Sequence, residues 1–212
     1  MLEKIPDFVG HALREQRAGL DKTVFLRAPL RTGQAAIRVS SLAFVDHGPL
    51  PALYTADGEG LSPPLQWSSL PPETRSVALI VEDADSPTPQ PFVHAIAVGI
   101  DPAETFLREG GLDGDGEPEG NEPALHLGRN SLLQSGWLPP DPPPGHGPHR
   151  YLFQVFALNA VEGLPETPGR DSFVDLVRDH AIASGCLIGT YERHDTSVRS
   201  GEAAGEQGAV IA

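Results

Sequence analysis

The sequence predicts a mainly β, single-domain protein, and three observations carry that reading. Glycine and proline are abundant, 23 and 22 of 212 residues, with no collagen-like period, so turns are frequent and long helices few. Three runs, 76–82, 92–100 and 151–158, are apolar enough to be buried strands. With 39% apolar side chains, a chain of 212 residues closes one sizeable core with decoration rather than two full domains.

Near the start, Ile5, Phe8, Val9, Ala12 and Leu13 recur at helical spacing, with Pro6 in the first turn and Gly19 as a stop. This predicts a short amphipathic helix in an N-terminal extension over 1–34. Its expected role is to cover a sheet edge, with self-association into a homodimer as the alternative. The main domain is expected over 35–196. A two-residue period from Ala35 to Phe44 predicts its first strand, and Asp46-His47-Gly48-Pro49-Leu50-Pro51 a turn. Prolines confine Leu61 to Trp67 to extended or turn backbone, and Trp67 is assigned to the core.

The strand Ser76–Glu82 ends in Asp83-Ala84-Asp85-Ser86-Pro87, and the strand Phe92–Ile100 carries His94 near its beginning. Residues 101–123 mix acids with glycines, which predicts a long mobile surface loop that buries little. After the strand Tyr151–Leu158, Asp171 or Ser172 caps a helix carrying Phe173, Leu176, Val177, His180 and Ala181. Leu187 to Glu192 reads as a last strand, and 197–212 as a flexible tail.

A formal charge of −14 argues against nucleic acid and anionic membrane surfaces as partners, since both are bound by clustered Lys and Arg. The lone Cys186 makes no internal disulfide and reads as a small buried hydrophobe. No apolar stretch approaches the ~18 residues of a transmembrane segment, and the start has no signal-peptide core, so a cytoplasmic protein is expected. The acids of 101–123 match no calcium loop, and His146 with His149 at His-x-x-His spacing is too generic to identify a metal site. No cofactor is expected.

The chemistry concentrates in Pro142-Pro143-Pro144-Gly145-His146-Gly147-Pro148-His149-Arg150-Tyr151, a stiff loop that hands histidines to the start of a strand. His149 and Tyr151 fall on one strand face. His146 is expected at the rim, and Arg150 as a brace paired with an acid such as Asp85. Ionisable groups from Asp83, His94, His149 and Tyr151 could bind a phosphate through charge-assisted bonds.

Taken together, Glu59-Gly60-Leu61-Ser62-Pro63-Pro64-Leu65-Gln66-Trp67, Val81-Glu82-Asp83-Ala84-Asp85-Ser86-Pro87, His94, the 142–151 stretch and Leu187-Ile188-Gly189-Thr190-Tyr191 resemble the phosphatidylethanolamine-binding protein (PEBP) family, in its bacterial Raf kinase inhibitor-like branch. The resemblance implies a large antiparallel sheet, a second smaller sheet and a C-terminal helix, here with an added N-terminal helix. It also implies a small anion pocket lined by Asp83, His94, His149 and Tyr151, walled by Pro87, Phe92 and Pro142, with Glu59 where the family usually has Asp. Ala84 replaces the usual proline. Pro139-Pro140-Asp141 replaces a Gly-Pro-Cys type of segment and sets an acid beside the pocket.

The implied function is a non-catalytic module for a phospholipid head group, a phosphorylated small molecule or a phosphorylated protein segment, regulating a protein partner such as a kinase or protease. The alternative is a hydrolase or phosphoesterase using His94, His149 and Asp83, or a metal held by His146 and His149 with Glu59. No Gly-x-Ser-x-Gly elbow or His-Glu-x-x-His helix supports it.

Overall fold

The apolar runs of the sequence become the centre of a six-stranded sheet. The computed structural model describes residues 6–28, 30, 36–114, 125–160 and 166–193. Its elements are α1 (Asp7–Leu13), α2 (Val24–Arg27), β1 (Arg38–Ser40), β2 (Gly48–Pro49), β3 (Leu65–Ser68), β4 (Ser76–Asp83), β5 (Phe92–Ile100), β6 (Phe106–Leu107), β7 (His126–Leu127), β8 (His149–Leu158), α3 (Arg170–His180) and β9 (Ala181–Tyr191). The large sheet has the order β2-β9-β8-β4-β5-β7, and β1-β3-β6 form a second sheet. All pairs are antiparallel except β2 with β9.

Strand parity sorts side chains between two cores. Val77, Leu79 and Val81 of β4, with Tyr151, Phe153 and Val155 of β8, meet Leu65, Trp67 and Leu107 of the small sheet. Ala78, Ile80, Phe156 and Leu158 face the other way, onto Val24 and onto Phe173, Leu176 and Val177 of α3. On that second face Glu82 is buried and paired with Arg170 at 2.7 Å, and accepts from Gln154 and the Val24 amide, tying α2 and α3 to the sheet. Burying a carboxylate is tolerated because each oxygen is matched.

Several expectations shift. The first strand is only Arg38–Ser40, because Ser41 turns the chain by bonding the Pro64 carbonyl and the Ala43 amide. The last strand begins at Ala181, directly after α3. Helix α1 buries only Gly10 and leaves Phe8 71% exposed, with Val9 and Leu13 half-buried. Within the acidic segment Leu107 and Leu112 are buried, where its composition predicts little burial. Ser62 holds it by accepting from the Gly110 and Leu112 amides, and its own amide donates to Asp113. The remainder of that loop (115–123), most of 29–35 and the tail 197–212 lie outside the described residues. No helix among the described residues is long and apolar enough to cross a membrane.

Candidate ligand-binding site

Asp83 continues the parity of Val77, Leu79 and Val81, and its cross-strand partner is Tyr151. His149 lies two residues before Tyr151, on the same face. His94 needs a special device. Val81 pairs with Ala95, but Glu82 pairs with Val93, so His94 is an extra residue in β5, a β-bulge. A bulge re-aims a side chain, and it turns His94 toward Tyr151, with ring centroids 5.1 Å apart and edge-on. Phe92 packs against His94 at 5.5 Å and Trp137 at 6.0 Å.

The polar contacts form a series. Asp83 Oδ2 lies 2.7 Å from His149 Nδ1, His149 Nε2 lies 2.7 Å from His146 Nδ1, and His146 Nε2 lies 2.9 Å from the Leu13 carbonyl. The other Asp83 oxygen accepts from the Asp85 amide at 2.8 Å. His94 Nδ1 faces the Leu138 carbonyl at 2.6 Å, which assigns its hydrogen to Nδ1 and leaves Nε2 a bare acceptor. Burial pushes the His94 pKa below its ordinary 6.5, outweighing the nearby Asp83 charge, so the ring is neutral at neutral pH. Burial, then the Asp83 charge, keeps the Tyr151 phenol protonated. His94 Nε2, Tyr151 Oη and Trp137 Nε1 are buried with no hydrogen-bond partner. Trp67 Nε1, within the core, is a further unpartnered atom; the other three gather around one histidine, where such buried orphans call for an explanation.

A frame holds this cluster. Arg150 bonds Asp85 through its amide, Nε and Nη2, at 2.9, 2.7 and 2.7 Å, the brace read from the sequence. Arg17 adds a bond to Asp85 at 3.0 Å. Burial alone would raise the Asp85 carboxyl, but the two guanidinium groups hold it below its ordinary range. The loop turns through Gly145 and Gly147 at φ 76° and 90°, conformations that favour glycine. Asp141 is neutralised by Arg193 at 2.7 Å, and Arg193 also donates to the Pro142 carbonyl and to Asp57, which in turn accepts from the Tyr191 hydroxyl.

Of the residues singled out in the sequence, Asp83, His94, His149 and Tyr151 come together, with Phe92 as wall and buried Pro142 in the frame. Pro87 is half-buried on the turn after Ser86. Glu59 is not brought to the cluster: it is exposed on its turn, and Asp57 is the acid of that turn engaged with the frame. His146 is not a rim residue but fully buried, because its ring is sandwiched between His149 and the N-terminal segment. Arg17 and Trp137 were not singled out, and Leu13 only as part of the helical stripe; an arginine in a polar N-terminal stretch and a backbone carbonyl carry no sequence signal. Two clefts, of about 760 and 610 Å³, lie beside α2 and α3 and along Thr88–Val93; the second touches the wall residue Phe92, and neither is lined by Asp83, His94, His149 or Tyr151. The candidate site rests on the unpartnered atoms rather than on open volume.

Comparison with known proteins gives consistent results. A family model described as phosphatidylethanolamine-binding protein matches residues 40–192. A UPF0098 protein of Methanothermobacter thermautotrophicus is 36% identical over 151 residues, covering 71% of this chain and 95% of the relative. Among solved structures, a phosphatidylethanolamine-binding protein homologue from Chlamydia trachomatis superposes with a TM-score of 0.65 at 33% identity, covering 74% of this chain and 98% of that one. YbcL of E. coli, a member of the mammalian PEBP family, gives 0.65 at 27% identity, covering 74% and 99%.

Proposed function

The chain belongs to the phosphatidylethanolamine-binding protein family, and from that premise we propose that it is a non-catalytic module that binds a small phosphate-type anion at the Asp83, His94, His149 and Tyr151 cluster. The observation that carries this reading is the pair of unpartnered buried atoms, His94 Nε2 and Tyr151 Oη, beside a histidine whose Nδ1 lies 2.7 Å from Asp83. Tyr151 donates to a phosphate oxygen. His94 accepts from the P–OH of a monoanion, or takes up a proton and donates. Either way binding favours the protonated complex, so it is accompanied by proton uptake from neutral solution. A phospholipid head group, a phosphorylated metabolite and a phosphorylated protein segment all present this chemistry, and regulation of a kinase or protease would follow from the last.

The hydrolase reading is less well supported. The Asp83, His149 and His146 series ends on the Leu13 carbonyl rather than on a hydroxyl or thiol, so it activates no nucleophile in this arrangement. Among the described residues no group of His, Cys, Asp and Glu has the arrangement of a metal site.

Calorimetric titration with phosphoethanolamine and inorganic phosphate in buffers of different ionisation enthalpy tests the proposal. Saturable binding with net proton uptake is expected. Binding that persists undiminished in the double variant His94→Gln, Tyr151→Phe would place the anion elsewhere, and turnover of a phosphoester would restore the enzyme reading.

A further inference from the structure

The loop after β7 carries a tip that is held rigid and kept exposed. Asn130 is buried, and its side chain staples the turn: Oδ1 accepts from the Leu132 and Gln134 amides at 3.0 and 3.2 Å, and Nδ2 donates to the Gly136 carbonyl at 3.3 Å. The Asn130 amide donates to the Gln134 carbonyl and the Leu133 amide to the Asn130 carbonyl, which closes it. Ser131 fixes the turn to β5, its amide donating to the Val93 carbonyl and its hydroxyl accepting from the Val93 amide. On this frame Leu132 is 49% exposed and Leu133 76%, and Leu133 stands at φ 62°, a left-handed conformation that asparagine or glycine adopts with less strain. A leucine held in water at such a position buries little and costs stability, so packing does not account for it.

The tip borders the groove of about 610 Å³ along Thr88–Val93, whose lining includes Phe92, Val93, Arg129, Leu133 and Arg170. No carboxylate lines this groove, although the chain has 29 acidic residues against 15 basic ones; Asp171 lies past Arg170, in the adjoining cleft. Arg170 is matched by buried Glu82. Arg129 is not matched: its amide donates to the Pro168 carbonyl, and its exposed side chain has no carboxylate partner among the described residues. At the other wall Lys22 Nζ donates to the Pro89 carbonyl at 3.1 Å, again with no carboxylate partner among the described residues. The groove is thus positive and partly apolar on a molecule of net charge −14, complementary to a carboxylate beside an apolar group.

A protruding tip beside a groove suits a protein surface better than a small ligand, which is held by enclosure. A lipid surface fits less well, because two leucines insert little and the net negative charge repels anionic head groups. We propose that the groove and the Leu132–Leu133 tip are a docking surface for a partner protein, whose binding segment lays an apolar side chain on Phe92 and Leu133 and a carboxylate on Arg129. This surface is distinct from the anion cluster, which it meets through the ring of Phe92, and it does not depend on the binding function proposed above.

An array of acetylated hexapeptides composed of Leu, Ala, Glu, Asp and Lys, probed with the full chain, tests the proposal. Peptides that combine leucine with an acid are expected to bind, more weakly as salt rises, and those with lysine in place of the acid are not. The best binder should shift the backbone NMR signals of 88–93 and 129–134. Arg129→Glu should lower its affinity at least about tenfold and admit the lysine counterpart, a reversal that simple destabilisation does not produce. Leu133→Asn should bind about tenfold more weakly yet unfold at a higher urea concentration, because asparagine suits the left-handed turn. A lower unfolding midpoint in Leu133→Asn makes Leu133 a packing residue and overturns the proposal. So does an array in which acidic peptides bind no better than basic ones, or bind without moving the groove signals. Leu133-dependent binding to phosphatidylcholine–phosphatidylglycerol vesicles with no peptide binding assigns the tip to a membrane, and dimerisation abolished by Arg129→Glu makes a second copy the occupant; either result overturns a separate partner.

Discussion

Tyr151 is where stability and function pull apart. Its hydroxyl is fully buried and makes no hydrogen bond, so it costs folding free energy in the unliganded chain. Tyr151→Phe should therefore raise stability by about 1 kcal/mol while weakening phosphate binding about tenfold, the value of one charge-assisted bond. Denaturant unfolding and calorimetry on the same variant check the pair; a loss of stability with unchanged affinity would make Tyr151 a packing residue. Arg150→Ala should act in the opposite way, costing about 2–3 kcal/mol by leaving the buried Asp85 with Arg17 alone. The sequence made Asp83, His149 and Arg150 legible because strand parity and a neighbouring acid determine what they face. It placed His146 at the rim because the contact that buries it comes from residue 13, more than a hundred positions away.

At the scale of elements, β4, β5, β8 and α3 were legible as apolar runs and a helical period, since each buries side chains on both faces or on one continuous stripe. The bulge at His94 was not. It arises from the mismatch between β4 and β5 registers, a property of two strands that neither run displays. Deleting His94 itself should remove the extra residue, leave Ala95 opposite Val81 and keep the hairpin while the imidazole is lost; phosphate affinity is expected to fall at least as far as in Tyr151→Phe, as calorimetry would register. α3 serves the opposite face. Phe173→Ala opens a cavity between Phe156 and the helix, where the rings meet at 5.9 Å, and should cost about 3–5 kcal/mol in unfolding free energy with anion affinity changed far less.

At the scale of the whole molecule, acid stability reports how the buried histidines are kept. His94 and His146 have folded pKa values below the ordinary 6.5, with burial the leading cause in both. The unfolded chain takes up protons that the folded chain refuses, so their contribution is fully present above about 6.5 and lost as pH falls below it. Asp85, held below its ordinary 3.8, adds a second loss at more acidic pH. Urea unfolding should show a midpoint that falls below about pH 6.5, with a shallower fall in His94→Leu. The central claim remains the anion at the four-residue cluster, and imidazole NMR during a phosphate titration tests it most directly. Saturable shifts of the His94 and His149 ring signals with one common dissociation constant, accompanied by protonation of His94 or donation to its Nε2, are expected. A titration that saturates while both rings keep their signals, or that moves only exposed histidines such as His47, would contradict it.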